Sequence, residues 1–199
     1  MNRIHASCAS TGHLEMIIGP MYSGKSTALI QTADQYELCG SKVLMVNHDS
    51  DTRYGKHGVF THGLHKKDAI AVPTLMTLVE AFKQEYDAHK VICIDELQFF
   101  PDITDFVHMA VQEDKKWVIA SCLCGTYYRT PFREVCDLIP FCDLVRPLQA
   151  LCMSCKDGTP APFTAKINKN APDVGGNGVY KPVCRRCYDA IEQKEKETP

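Results

Sequence analysis

No run in this chain of 199 residues approaches the length of a membrane-spanning helix, which needs about 20 consecutive apolar residues. The first residues, MNRIHASCASTGH, contain no apolar stretch of the kind at the centre of a secretory leader. These two absences set the expectation of a cytoplasmic protein without a membrane partner. An excess of one charge is missing too: 22 basic side chains stand against 24 acidic ones, a formal charge of -2. That balance leaves no electrostatic footprint for DNA or an anionic membrane, so nucleic acid is not expected as the main partner. There is no internal repeat, which sets aside solenoids and arrays. Cysteine is not scarce. With no leader to send the chain to an oxidising compartment, its 11 cysteines read as reduced thiols or metal ligands instead of a disulfide framework.

A hydrophobic share of 45% allows one good core and a small second module. Residues 14–18, 42–46, 91–94 and 117–123 are short apolar, largely β-branched runs, expected as strands buried on both faces. Helical spacing lies between them. From 26 to 39, Leu29, Ala33 and Tyr36 share one face and Gly40 stands where a C-terminal cap belongs. Leu75, Leu78, Val79 and Phe82 repeat the spacing, as do Ile103, Phe106, Val107 and Ala110. This alternation predicts an α/β fold, a mostly parallel sheet flanked by helices. Residues 47–67 are polar and carry glycines, an expected mobile surface loop. Beyond about Pro147 the strand-helix rhythm stops. We therefore expect a nucleotide-binding α/β domain over 1–148, a small module over 149–190 and a charged, disordered tail over 191–199.

The stretch GPMYSGKS, Gly19 to Ser26, fits the G-x-x-x-x-G-K-[ST] pattern. Its glycines let main-chain N–H groups turn inward around phosphate oxygens, Lys25 reaches the outer phosphates, and Ser26 offers an oxygen to Mg²⁺. An ordinary strand-to-helix turn is the plainer alternative, but this match follows a strand and opens a helix, whose positive end serves the same anion. In VICIDELQFF a buried strand ends on two acids. Asp95 is placed where such proteins hold Mg²⁺; Glu96 follows at once, and because adjacent strand residues point to opposite faces the two acids should do different jobs, one serving the metal and the other the nucleophile.

CMSC and CRRC place Cys152, Cys155, Cys184 and Cys187 as two pairs separated by residues 156–183. Four thiolates around a tetrahedral Zn²⁺ want this arrangement. The other cysteines, Cys8, Cys39, Cys93, Cys122, Cys124, Cys136 and Cys142, read as small core or loop residues. His48, His57, His62 and His65 read as solvated loop residues. In the neighbouring DTRY, Arg53 is a candidate clamp for transferring phosphate. Phe99, Phe100, Tyr127, Tyr128 and Phe132 come after strand ends, where α/β sheets bind ligands. Core packing accounts for some of them and a flat base for the rest.

Taken together, GPMYSGKST, DTRY, IDELQFFPDI, LCGTYYRTPF, the two cysteine pairs and GGNGVYKPVCRRCY resemble the zinc-containing, type II thymidine kinases. The resemblance runs over residues 14–188 with the motifs in the family's order. It implies a RecA-like P-loop sheet followed by a zinc-ribbon-like module carrying a long nucleoside-binding lasso loop. It implies ATP and thymidine as substrates, Mg²⁺ with the ATP, a structural Zn²⁺, a homo-tetramer, and dTTP as feedback inhibitor.

By the same resemblance, Gly19, Pro20, Met21, Tyr22, Ser23, Gly24, Lys25, Ser26 and Thr27 would bind ATP together with Asp51 and Thr52. Ser26 and Asp95 would serve Mg²⁺, Glu96 would be the general base, and Arg53 would stabilise the transferring phosphoryl group. Met21, Phe99, Leu123, Tyr127, Phe132, Ala171, Pro172, Asp173, Val174, Gly175 and Tyr180 would surround the nucleoside. Two departures stand out. The family's Leu-Asp-Gly-Thr-Phe reads Leu123-Cys124-Gly125-Thr126-Tyr127 here, and the loop reads NAPDVGG where a more β-branched run is usual. Two other readings stay open. One is a P-loop ATPase switch whose zinc module binds nucleic acid through Lys166, Lys169, Lys181, Arg185 and Arg186. The other is a nucleotide-binding protein that has lost catalysis through Cys124.

Overall fold

The structure, a computed structural model, describes residues 10–50, 59–60, 66–168, 170–172 and 178–197. Six strands form the central sheet: β1 (His13–Ile18), β2 (Val43–His48), β5 (Ile70–Val72), β6 (Val91–Ile94), β7 (Trp117–Cys122) and β8 (Leu144–Pro147), in the order β5-β2-β6-β7-β1-β8. Every pairing in it is parallel. A short antiparallel pair, β3 (Val59–Phe60) with β4 (Lys66–Lys67), lies in the long polar stretch.

Parallel strands need crossovers, and helices lie in all of them but the β2-to-β5 connection, where the described residues hold β3 and β4: α1 (Lys25–Leu38), α2 (Leu75–Ala81), α3 (Lys83–Ala88), α4 (Ile103–His108) and α5 (Arg133–Asp137). Alternation along β1 divides the core. Leu14 and Met16 join Ile92, Ile94, Val118, Ala120 and the α2 and α4 side chains Leu75, Leu78, Phe106 and Val107 on one face. Ile17 joins Met45, Cys93, Ile119 and the α1 residues Leu29 and Ala33 on the other. Helix α1 stops as the sequence predicts. Gly40 adopts φ 83, its N–H donates to Glu37 O at 2.8 Å, and the Ser41 N–H donates to Tyr36 O at 3.0 Å, a Schellman motif.

β8 and β5 carry no strong strand signal. Leu144 is 47% exposed on the sheet edge, so the buried-run pattern is absent from LVRP, and IAV is only three residues long.

After β8 come β9 (Ala150–Leu151) with β10 (Pro160–Ala161), then β11 (Phe163–Lys166) with β12 (Tyr180–Val183), both pairs antiparallel, and α6 (Arg185–Glu197). Their small core holds Ala150, Cys152, Ala161, Ala165, Val183, Cys184 and Tyr188. The tail expected to be disordered from residue 191 instead continues α6 to Glu197. Ile191 packs on the small core, and Glu192 accepts from Arg129 Nη2 at 3.2 Å. Among the described residues no helix is long and apolar enough to cross a membrane.

Candidate active site

The parallel register brings the carboxyl ends of β1, β6 and β7 side by side, with Ile18 beside Cys122 and Ile94 beside Ala120. The segments leaving these three strands therefore converge. After β1 the glycine-rich turn curls through two left-handed residues, Tyr22 at φ 64 and Gly24 at φ 85. Gly19 is needed for a different reason: a Cβ there would stand 2.6 Å from Leu148 O and 2.7 Å from Ser23 Oγ. Gly24 is the N-cap of α1 and offers no side-chain acceptor, so the first N–H groups of this 14-residue helix suit an anion. Lys25 is buried and its ammonium donates to Pro20 O at 3.0 Å, within its own turn.

The Ser26 hydroxyl donates to Asp95 Oδ1 at 3.1 Å, and the fully buried Ser121 hydroxyl at the end of β7 donates to the same oxygen. A hydroxyl and a carboxylate oxygen in contact are hard donors of the type Mg²⁺ takes beside phosphate. Glu96, next in the chain, is also buried. Strand alternation would have sent the two acids to opposite faces. In the structure β6 ends at Ile94, and Glu96 turns away through a left-handed conformation, φ 52 and ψ 49. Its N–H donates to Ser121 Oγ at 3.4 Å, and its Oε2 accepts from Gln98 Nε2 at 2.5 Å.

The aromatic positions separate. Tyr127 meets Tyr180 of β12 at 5.8 Å between ring centroids and Tyr128 at 4.1 Å, and its carbonyl accepts from the Tyr188 hydroxyl at 2.6 Å. Phe99 lies 6.2 Å from the His48 ring. Phe100 is buried in the main core, and Phe132 packs against that core. Leu123 is tied through its N–H to Gln98 Oε1 at 2.9 Å. Cys124 lines a cavity of about 460 Å³ with Gly19, Pro20, Thr126, Phe163 and Thr164. Burial, reinforced by the neighbouring Cys136, pushes the Cys124 thiol above its ordinary range, so it is neutral where an aspartate would be charged.

Beside this cavity, whose lining includes Pro20 and Thr164, the Met21 N–H donates to Thr164 Oγ1 at 3.0 Å. Ala171 sits in a turn on Asn168 O at 3.3 Å, with Pro172 next to it. Asp51, Thr52, Arg53, Asp173, Val174 and Gly175 lie outside the described residues, as do His57, His62 and His65.

The four sulfurs of Cys152, Cys155, Cys184 and Cys187 lie within 4.8 Å of one another. Cys155 Sγ is 3.7 Å from Cys184 Sγ and 3.5 Å from Cys187 Sγ, too far for disulfides and close enough to surround one ion. Cys152 Sγ accepts N–H groups from Cys155 at 3.4 Å and Cys184 at 3.3 Å. Burial, the largest single cause, would raise the Cys152 thiol, but the main-chain N–H groups of Cys155, Cys184 and Ser154 and the Cys155 side chain together outweigh it and bring it down to about 6. This soft, closed donor set fits Zn²⁺.

Four contributors carried no motif signal of their own: Gln98, Ser121, Thr164 and Tyr188. Gln98 stands inside IDELQFF, two residues from Glu96, and a polar residue at such a strand end was the available hint. The Thr164 contact spans 143 positions and depends on where β11 comes to rest.

The family described as "Thymidine kinase" matches residues 12–188 of this chain. The thymidine kinase of Monkeypox virus is 39% identical over 179 residues, 89% of this chain and 97% of that protein. Those of Vaccinia virus (strain Western Reserve) and Variola virus are 38% identical over the same extent. A match reaching from the first strand to the last pair of thiols leaves one assignment: the chain belongs to the thymidine kinase family.

Proposed function

We propose that this protein transfers the γ-phosphoryl group of ATP to the 5′-hydroxyl of thymidine, giving ADP and dTMP for DNA synthesis. The observation that carries the reading is the Ser26–Asp95 hydrogen bond beside Glu96, on a chain of this family. The turn from Gly19 to Thr27 is the phosphate loop, with Asp51 and Thr52 completing the ATP site. Ser26 and Asp95 would hold Mg²⁺, which supplies charge neutralisation on the phosphates. Glu96 accepts the proton of the 5′-hydroxyl as its oxygen attacks the γ-phosphorus and the bond to the β-phosphate oxygen breaks. Arg53 stabilises the charge on the transferring group. Such a transfer asks mainly for positioning and electrostatics.

Met21, Phe99, Leu123, Tyr127, Phe132 and Tyr180 wall the nucleoside, and the lasso residues Ala171, Pro172, Asp173, Val174 and Gly175 cover it. Cys152, Cys155, Cys184 and Cys187 hold a structural Zn²⁺ that ties the two ends of the lasso. In this reading 1–148 form a RecA-like P-loop domain and 149–190 a zinc-ribbon-like module. The family resemblance further supports a cytoplasmic homo-tetramer inhibited by dTTP.

The ATPase switch with a nucleic-acid-binding module is not favoured by the family match. Two of its basic residues are also engaged within the module: Arg185 lies 4.8 Å from the Phe163 ring centre and Arg186 donates to Cys155 Sγ at 3.5 Å. The test is incubation with γ-labelled ATP and a panel of nucleosides, with and without nucleic acid. Label on thymidine, with deoxypyrimidines preferred over ribosides and purines, is expected. Hydrolysis stimulated by nucleic acid with no labelled nucleoside would contradict the proposal.

A further inference from the structure

Between the proposed base and the nucleoside wall stands a side chain to which the transfer step gives no part. Gln98 lies in the single helical turn Leu97–Phe99. Its amide uses both ends: Nε2 donates to Glu96 Oε2 at 2.5 Å, and Oε1 accepts the Leu123 N–H at 2.9 Å. Chemistry fixes which end is which. A main-chain N–H must meet the amide oxygen, and a carboxylate must meet the NH₂ group.

Glu96 has reason to need such a partner. It has a Cβ yet occupies a left-handed conformation at φ 52, disfavoured for L-residues, and such strain persists only where the surroundings over-determine it. Ser121 Oγ takes the Glu96 N–H at 3.4 Å and also bonds Asp95, which fixes the backbone. The carboxylate is a separate problem, because its own rotatable bonds would let it swing off the line of attack. Gln98 addresses that.

The geometry points to Gln98 as the positioning residue of the phosphoryl transfer, holding the Glu96 carboxylate in place and coupling it to the Leu123 end of the nucleoside wall. This rests on the reading of the chain as a thymidine kinase with Glu96 as base. Nucleoside seated against Leu123 presses on the same amide that aims the base, so substrate fit and base alignment are set together.

The test compares wild type, Gln98→Met, Glu96→Gln and the double variant as zinc-loaded full chains, with labelled ATP and thymidine. Methionine keeps the length and removes both polar ends. Gln98→Met is expected to lower kcat roughly 10- to 100-fold while leaving the KM for ATP within about twofold. The double variant should be no slower than Glu96→Gln, because a residue acting through the base contributes nothing once the base is gone.

A Gln98→Met enzyme within about twofold of wild-type kcat overturns the inference, as does a double variant slowed by the full product of the two single effects. If Gln98→Met is insoluble, Gln98→Ala is judged by the same three readouts. A wild type that labels no thymidine sinks the functional reading and this inference together. An active wild type with an indifferent Gln98 sinks the inference alone.

Discussion

The main-chain N–H of Met21 donates to the hydroxyl of Thr164 at 3.0 Å, fastening the glycine-rich turn of the first strand to β11 of the cysteine module. Thr164 and Pro20, the residue before Met21, both line the cavity that holds Cys124 and Phe163. Thr164 is itself buried and Met21 is half-buried, so loss of the bond leaves a partly buried N–H without its acceptor.

From this contact we expect Thr164→Val to destabilise the protein by about 1–3 kcal/mol and to weaken both ATP and thymidine binding, while Thr164→Ser restores both. Thermal unfolding and titration of each ligand measure it. A valine variant indistinguishable from wild type in all three would show that the two segments are held together by other means.

The cysteine module has a different signature. Residues 156–183 are poor in periodic apolar side chains and share only a small core, so in the proposed reading a zinc ion on the four thiolates would hold their ends. Structural zinc contributes apparent energies of about 10–16 kcal/mol in finger peptides, far above the few kcal/mol that closing such a loop costs. Cys152→Ser or Cys184→Ser, in the protein that remains soluble, is expected to weaken thymidine binding far more than ATP binding. Calorimetric titration of both ligands checks this, and equal weakening would mean that the module supports the whole fold.

Cys124 stands where the family motif has an aspartate, and burial keeps it a neutral thiol. Wild type is expected to phosphorylate thymidine without help, and Cys124→Ser, also neutral, is expected to keep activity within about threefold, since the substitution removes no charge and little volume. Steady-state kinetics decide. A chain that phosphorylates no nucleoside until Cys124→Asp is made would show that the carboxylate is required.

Stability should decline on the alkaline side. Burial, the largest cause in each case, pushes the thiol of Cys142 up to about 11 and the phenol of Tyr36 to about 12, and raises Cys93, Cys122 and Tyr86 as well. These acids keep their protons in the folded chain after the unfolded chain has released them. Above roughly pH 8.5 for the thiols and 10 for the phenols, the unfolded state binds fewer protons and the free energy of unfolding falls as pH rises. Urea unfolding of the zinc-loaded protein between about pH 7.5 and 10.5 should therefore show a full plateau that declines from the thiol range upward. A flat profile would contradict the assigned burial.

The sequence made legible whatever is local. The Gly19–Ser26 turn, the β1, β6 and β7 runs and the Gly40 cap are each written within a few residues, and the cysteine pairs announce their clustering through spacing alone. It was silent where tertiary placement decides. Nothing in LVRP predicts the edge strand β8, because an edge needs no buried run. The Ser121, Gln98 and Thr164 contacts exist because strand order places β7 beside β6 and because β11 settles against the glycine-rich turn. Alternation was the wrong rule for Asp95 and Glu96, since β6 had already ended and a left-handed turn set the direction of Glu96.

The central claim is that this chain is a thymidine kinase whose proton acceptor is Glu96, and Glu96→Gln tests it most directly. The amide keeps the size of the side chain and removes the base. Turnover of thymidine should fall by about 10²–10⁴, with ATP and thymidine affinities by titration within about twofold of wild type. A variant that retains more than half its kcat would contradict the assignment of Glu96 as the base.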